Sequence, residues 1–286
     1  MSQSLIGTIA LFTAALLYGS QNIATRITGV AFGPFLSTAL RAFVVVVVLF
    51  WFMKWKSVRT ADWRWFYLRA IGNVIATTCI FIAVNNMPIG AALFSFYAGL
   101  ILSGGLFGVL FYKERMTMVK LISLACTALG LALIYSNQSS LAFNLYFIIA
   151  VVGGIGGSLW SVFSRPITKT YSLIQLVVLD NLLAGLMALG VSLLFKETWM
   201  TVQMDKRLLA VLYLGLTQVF TGQLVARGFK SVDAQIGSMI LLNDSLFGII
   251  FAYLIFREAA HPMVLLGGVC VFLSSIIPAI LEQKKS

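Results

Sequence analysis

Apolar runs of about 20 residues recur along the whole chain, and they restrict its fold more than any single motif does. Ten are legible, over 4–25, 33–53, 63–86, 89–112, 117–136, 143–163, 171–195, 207–229, 235–256 and 262–281. Each is long enough, as a helix, to cross a hydrocarbon core roughly 30 Å thick. Backbone amides find no water partner in lipid, so such a run is satisfied within itself only as a helix. The expected fold is an all-α membrane protein of ten transmembrane helices, with connectors too short for a soluble domain. The first run starts at Leu5 with almost no basic residue ahead of it, and so reads as a first span rather than a cleaved signal.

The chain carries 20 Lys and Arg against nine Asp and Glu, a formal net charge of +11. The basic residues lie in short connectors between apolar runs, which is the footprint of cytoplasmic loops and not of a nucleic-acid-binding face. With the N-terminus inside, the cytoplasmic connectors hold Lys54, Lys56, Arg59, Arg64, Arg69, Lys113, Arg115, Lys120, Arg165, Lys169, Arg227, Lys230, Lys284 and Lys285. The opposite side holds Arg26, Lys196, Lys206, Arg207 and Arg257. Fourteen against five places both termini in the cytoplasm, and a bacterial cytoplasmic (inner) membrane is the expected location. Cys79, Cys126 and Cys270 lie far apart inside apolar runs, which implies neither a disulfide framework nor a metal site.

The chain also repeats itself. Shifted by 144 residues, 104-GGLFGVLFYKERMTMVKLIS-123 falls on 248-GIIFAYLIFREAAHPMVLLG-267, so that Gly104 meets Gly248, Lys113 meets Arg257 and Glu114 meets Glu258. With slightly smaller offsets, 17-LYGS-20 pairs with 159-LWSV-162, and Arg41 with Asp180. Five is odd, so two five-helix halves, 1–138 and 139–286, run in opposite directions through the membrane. Inverted repeats of this kind build many secondary transporters, with the substrate site at their interface near mid-membrane.

Over essentially the whole chain this pattern resembles the EamA-type members of the drug/metabolite transporter superfamily. The residues that carry the resemblance are the two basic–Glu turns Lys113-Glu114 and Arg257-Glu258, Arg41 in the second span, and the aromatics Tyr18 and Trp160 in the first and sixth. It implies a central cavity surrounded by helices one to four and six to nine, with five and ten peripheral. It also implies alternating-access movement of small metabolites, often amino acids or related compounds. Ile101 and Ser245 stand where members often carry a proline, and of Ser123 and Gly267 only the second keeps the family's glycine. A proline hinge is therefore not expected, and Gly99, Gly104, Gly105 and Gly248 are the remaining places to bend.

Charges inside apolar runs are expensive and usually functional. Asp244, in 240-ILLNDSLFGIIFAYLIF-256, stands out beside Asn243, Ser245 and Gln235. It reads either as a cavity carboxylate that exchanges protons or holds a substrate ammonium, or as a permanently paired structural acid. Arg41 and Asp180 read either as charges that receive the two ends of a zwitterion or as a salt bridge between the halves. Further cavity candidates are Tyr18, Asn22, Asn73, Thr77, Tyr97, Trp160 and Gln218. Tyr18 and Asn22 lie one helical turn apart, as do Asn73 and Thr77. For each of these, interhelical hydrogen bonding is the alternative.

Other features carry less. The run 153-GGIGGS-158 lacks the following Gly-Lys of a phosphate loop and fits close helix packing instead. His261, the single histidine, reads as a solvated cap. The sequon-like 137-NQS-139 is uninformative. No hydrolase or metalloenzyme constellation is present, so neither an enzyme nor a cofactor is expected. The expected function is a secondary transporter exporting amino acids or similar small metabolites across the bilayer, either proton-coupled through Asp244 or facilitative. A passive pore, a membrane scaffold, or a carrier of drug-like cations, sugars or nucleosides are the alternatives. Oligomeric state, a monomer included, is left open.

Overall fold

The computed structural model describes residues 3–29, 31–113, 117–136, 141–164, 166–197, 206–228, 231, 240–241, 243–258 and 261–283. They form ten long helices: α1 (Gln3–Thr28), α2 (Pro34–Phe50), α3 (Trp63–Asn86), α4 (Ile89–Tyr112), α5 (Met118–Ser136), α6 (Leu141–Val162), α7 (Leu173–Leu194), α8 (Lys206–Gly228), α9 (Asn243–Phe256) and α10 (Pro262–Gln283). Proline opens α2 and α10, where its missing N–H and fixed φ cost nothing, and Ser172 caps α7 by accepting from Gln175 N–H at 3.2 Å. The valine run 44–48 favours a strand in water, yet it is helical in α2, because a lone strand cannot satisfy its backbone in lipid. The ninth expected span starts earlier than α9, but 232–239 lie outside the described residues, Gln235 among them.

Packing reproduces the repeat. α1 lies on α8 as α3 lies on α6; α2 meets α8 as α7 meets α3; α2–α7, α4–α9 and α5–α10 pair with their own counterparts. Eight helices close a ring in the order α1, α8, α2, α7, α3, α6, α4, α9, each packed on the next, while α5 and α10 pack on each other outside α4. The glycine run of α6 explains one wall. A Cβ on Gly154 would lie 2.1 Å from Phe96 O of α4, and one on Gly156 would lie 2.7 Å from Ala76 N of α3, so α6 wedges between two backbones. Gly99 serves the same close approach, against Val151 O, and α4 runs unbroken through it.

Call the face where α1, α3, α7 and α9 end the far face, and the opposite one the near face. At the far face α1, α2 and α3 converge: Asn85 donates to Thr25 O (3.3 Å), and the Thr38 and Thr78 hydroxyls meet at 3.2 Å. The largest apolar cluster, with Ile23, Val84, Met87, Ile89 and Phe94, packs in this half, beside a cavity of about 520 Å³ lined by Phe32, Phe81, Asn85 and Tyr146. At the near face a second apolar cluster, with Phe66, Ile167, Tyr171, Leu176 and Leu179, joins α3 to α7, and Lys56 and Gln175 hydrogen-bond between the α2–α3 connector and the α6–α7 region.

Candidate functional site

Three helices end on a basic residue in the left-handed region: Lys113 (φ 53°), Lys196 (φ 50°) and Arg257 (φ 57°). A β-carbon costs about 1–2 kcal/mol there, so the repetition needs a reason, and the following glutamate supplies it. Glu258 accepts from Ile89 N–H at the start of α4 and pairs with Arg26, whose guanidinium also donates to Val84 O and Met87 O at the end of α3. Glu197 accepts from Phe35 N–H (3.1 Å) and Leu36 N–H (2.8 Å) at the start of α2. Each carboxylate caps a helix N-terminus of the other repeat, where the unpaired N–H groups and the helix dipole favour an anion. Glu114 lies outside the described residues. Lys196-Glu197 has the same sequence signature as the other two turns, although it has no partner under the 144-residue shift.

Asp180 and Arg41 do not meet. Asp180 sits seven residues from the near end of α7, and Arg41 seven residues from the far end of α2, each about 10 Å deep. An in-plane twofold axis exchanges the two faces, so equivalent groups away from mid-depth end up at different heights. Asp180, 2% exposed, is held instead by Arg69 (Nε to Oδ1 3.4 Å), Asn73 (Nδ2 to Oδ2 3.0 Å) and Trp160 (Nε1 to Oδ2 2.8 Å). The Arg69–Asp180 contact is an ion pair without hydrogen-bond alignment, since neither Nε nor Oδ1 is hydrogen-bonded. Arg69 also donates to Ser164 Oγ at 2.7 Å and stacks over the Trp160 ring at 4.7 Å. Arg69 is thus a buried member of α3, 4% exposed, and not a connector residue; the inside count falls from fourteen to thirteen.

Asp244 lies on the α4–α9 pairing, twelve residues (about 18 Å) before the far end of α9. It is 9% exposed, and its Oδ2 accepts from the Tyr97 phenol of α4. Its Oδ1 is buried without a hydrogen-bond partner, although the Ser245 backbone amide acts on the carboxylate electrostatically. No ion pair reaches it among the described residues. Around it, α1 presses close. A Cβ on Gly19 would lie 2.9 Å from Asp244 O, and one on Gly248 would lie 3.3 Å from Asn22 Nδ2. The Tyr18 phenol interacts with Thr221 of α8 and stands within electrostatic reach of both Asp244 and Arg41.

The other expected residues divide. Asn22 and Thr77 turn back to their own helices, on Tyr18 O (3.3 Å) and Asn73 O (2.8 Å), so each pair does share a face. Asn243 donates to Ile240 O at 2.9 Å. Gln218 reaches Asn181 Oδ1 at 3.5 Å and keeps a buried, unpartnered Oε1. His261 caps α10, accepting from Met263 N–H at 3.2 Å. The structure therefore builds two polar centres inside the ring, one around Asp180 and one around Asp244. Tyr18, Tyr97 and Asp244 come together in the second, while Asn73 and Trp160 belong to the first.

A ten-helix bundle of two inverted repeats, the second capping helices of the first, is a transporter architecture, and the sequence matches a family model over both repeats. The model is that of the EamA-like transporter family, at residues 5–136 and 144–278. The chain belongs to the EamA-like transporter family. This places it in the drug/metabolite transporter superfamily, as the basic–Glu turns and Arg41 imply. A protein of known crystal structure is 20% identical to this EamA-like chain, with a TM-score of 0.65 over 96% of this chain and 98% of its own, a likeness that shows the fold. No curated protein matches.

Proposed function

We propose that this chain is a secondary transporter that exports amino acids or related small polar metabolites by alternating access, coupled to protons through Asp244. One observation carries the reading. Asp244 is a buried carboxylate at the contact of the two repeats, with one side-chain donor, the Tyr97 phenol, an Oδ1 without a hydrogen-bond partner and, among the described residues, no counter-cation. A charge so placed is expensive unless a proton or a bound cation neutralises it, which makes its two states exchangeable. Ammonium and proton compete for the same oxygen, and that competition couples their movements. Tyr18 and Tyr97 supply faces on which an amine gains cation–π contact.

The Arg26–Glu258 knot ties α1 and α3 to α4 at the far face, and the α2–α3 and α6–α7 connectors meet at the near face. With both termini in the cytoplasm, as the basic connectors favour, the near face is the cytoplasmic one. In a bacterium the membrane is the inner one. The test is amino-acid uptake into inside-out vesicles with and without a pH gradient. Wild type should respond to the gradient and Asp244→Asn should not; equal transport by both under both conditions overturns the coupling role.

A further inference from the structure

The pseudo-symmetry leaves one charge unanswered. Trp160, Asp180, Arg69 and Asn73 form the neutralised centre of α3, α6 and α7. Their counterparts are Tyr18 and Arg41, by the offsets above, and Tyr213 and Thr217 at the 144-residue shift. Where Arg69 answers Asp180, the mate of Arg41 is thus the uncharged Tyr213, whose hydroxyl bonds Ser20 Oγ at 2.6 Å, while Thr217 accepts from Gln21 at 3.1 Å. Among the described residues no carboxylate pairs with Arg41; the ion pairs there are Arg26–Glu258 and Arg69–Asp180.

Beside Arg41 lies a cavity of about 20 Å³, enough for one water-sized group, walled by the hydroxyl residues Thr25, Ser37, Thr38 and Thr77 with Phe81 and Leu214. Ser37 is 2% exposed, and its Oγ has no hydrogen-bond partner. A guanidinium without a counter-charge and a buried hydroxyl without a partner are each costly alone. Both are answered by one acceptor that carries negative charge, and the planar guanidinium fork matches a carboxylate or another oxyanion. The water-sized space takes a halide or one carboxylate oxygen, and is small for a tetrahedral phosphoryl or sulfonyl group.

We infer that Arg41 and Ser37 form a binding site for a single small anionic group, either a carboxylate or a free halide, on the α2 side of the central ring. That the carboxylate is part of the cargo rests on the transport reading above; anion binding itself does not. In that case the cargo carries its acid toward Arg41 and its amine toward Asp244.

The experiment is a thermal-unfolding titration of the purified full chain in chloride-free gluconate at constant ionic strength, adding formate, acetate, chloride or phosphate. Formate and acetate should raise Tm saturably by about 2–4 °C, phosphate should not, and Arg41→Gln should abolish the response. A response to chloride but not to the carboxylates identifies the free halide as the occupant. Ser37→Ala should weaken the half-saturating concentration about fivefold, which keeps the site testable if Arg41→Gln fails to fold. An absent response in wild type, or one unchanged in either variant, overturns the site. An anion-insensitive protein that still transports overturns this inference alone. An anion response without vesicle transport overturns the transport reading alone.

Discussion

Two buried aspartates, 64 residues apart in sequence, show opposite ways of placing a charge in a membrane. Asp180 has an arginine, an amide and an indole around it, drawn from two helices, one of each repeat. Asp244 has one side-chain donor, a phenol, and among the described residues no cation. A carboxylate with its full complement is a packing element: it holds α3, α6 and α7 in one arrangement and has nothing to exchange. A carboxylate with half its complement gains by taking a proton or a ligand. Burial is similar in the two, so the number of committed partners, and not depth, separates structure from function.

The largest effect should come from breaking the complete centre. Arg69→Leu leaves Asp180 buried without its counter-charge and should cost about 3–5 kcal/mol, read as a large fall in Tm of the purified protein. Arg69→Leu with Asp180→Leu removes both charges and should recover most of the loss. If the single variant is as stable as wild type, Asp180 is not held by Arg69. Asp244→Asn should behave in the opposite way. Its stability should be unchanged or raised, because a neutral side chain avoids the cost of burying a charge, while gradient-driven transport falls by at least about tenfold, or about 1.4 kcal/mol.

Much of the fold was legible before any coordinates, because the membrane leaves so few solutions. Ten runs became ten helices, and the odd number of spans per repeat dictated the inversion. The site was less legible, for a physical reason that Arg69 illustrates. It closes a series of basic residues, Lys54 to Arg64, and hydropathy alone reads it as the last connector charge; only the packing of α3 on α6 and α7 takes it inside. Its burial then decides the partner of Asp180 and leaves Arg41 alone. Sequence spacing reports neighbours on one helix, as for Tyr18 with Asn22 and Asn73 with Thr77. It does not report which helix faces which, and that choice sets every ion pair here. Glu197 was visible as a third basic–Glu turn, but its target, the start of α2, was not.

A smaller effect should follow at the far face, where charge ties helix ends together. Glu258→Gln keeps the size but weakens the hold on Arg26 and on the start of α4, and should cost about 1–3 kcal/mol. The cost falls on the far end, so the balance should move toward opening there. A cysteine at the buried Thr25 should label faster from the far side in Glu258→Gln than in an otherwise identical protein with Glu258. Equal labelling rates would mean that the knot holds the helices together without contributing to closure.

The finest test exchanges one donor in each centre and asks where the loss appears. Trp160→Phe removes one of three partners from Asp180, and Tyr97→Phe removes the only side-chain donor to Asp244. Both delete a single hydrogen bond, worth about 1–3 kcal/mol to a charged acceptor. In the complete centre the remaining Arg69 and Asn73 cannot cover the vacated lone pair, so Trp160→Phe should lower Tm by a few degrees and leave the dependence of transport on the pH gradient as it was. In the open centre the lost phenol removes the group that fixes the carboxylate for its ligand. Tyr97→Phe should therefore lower Tm by a similar amount and, unlike Trp160→Phe, also lower transport about tenfold. If both variants lose stability and keep transport, Asp244 is a second structural acid, and the contrast between the two centres fails.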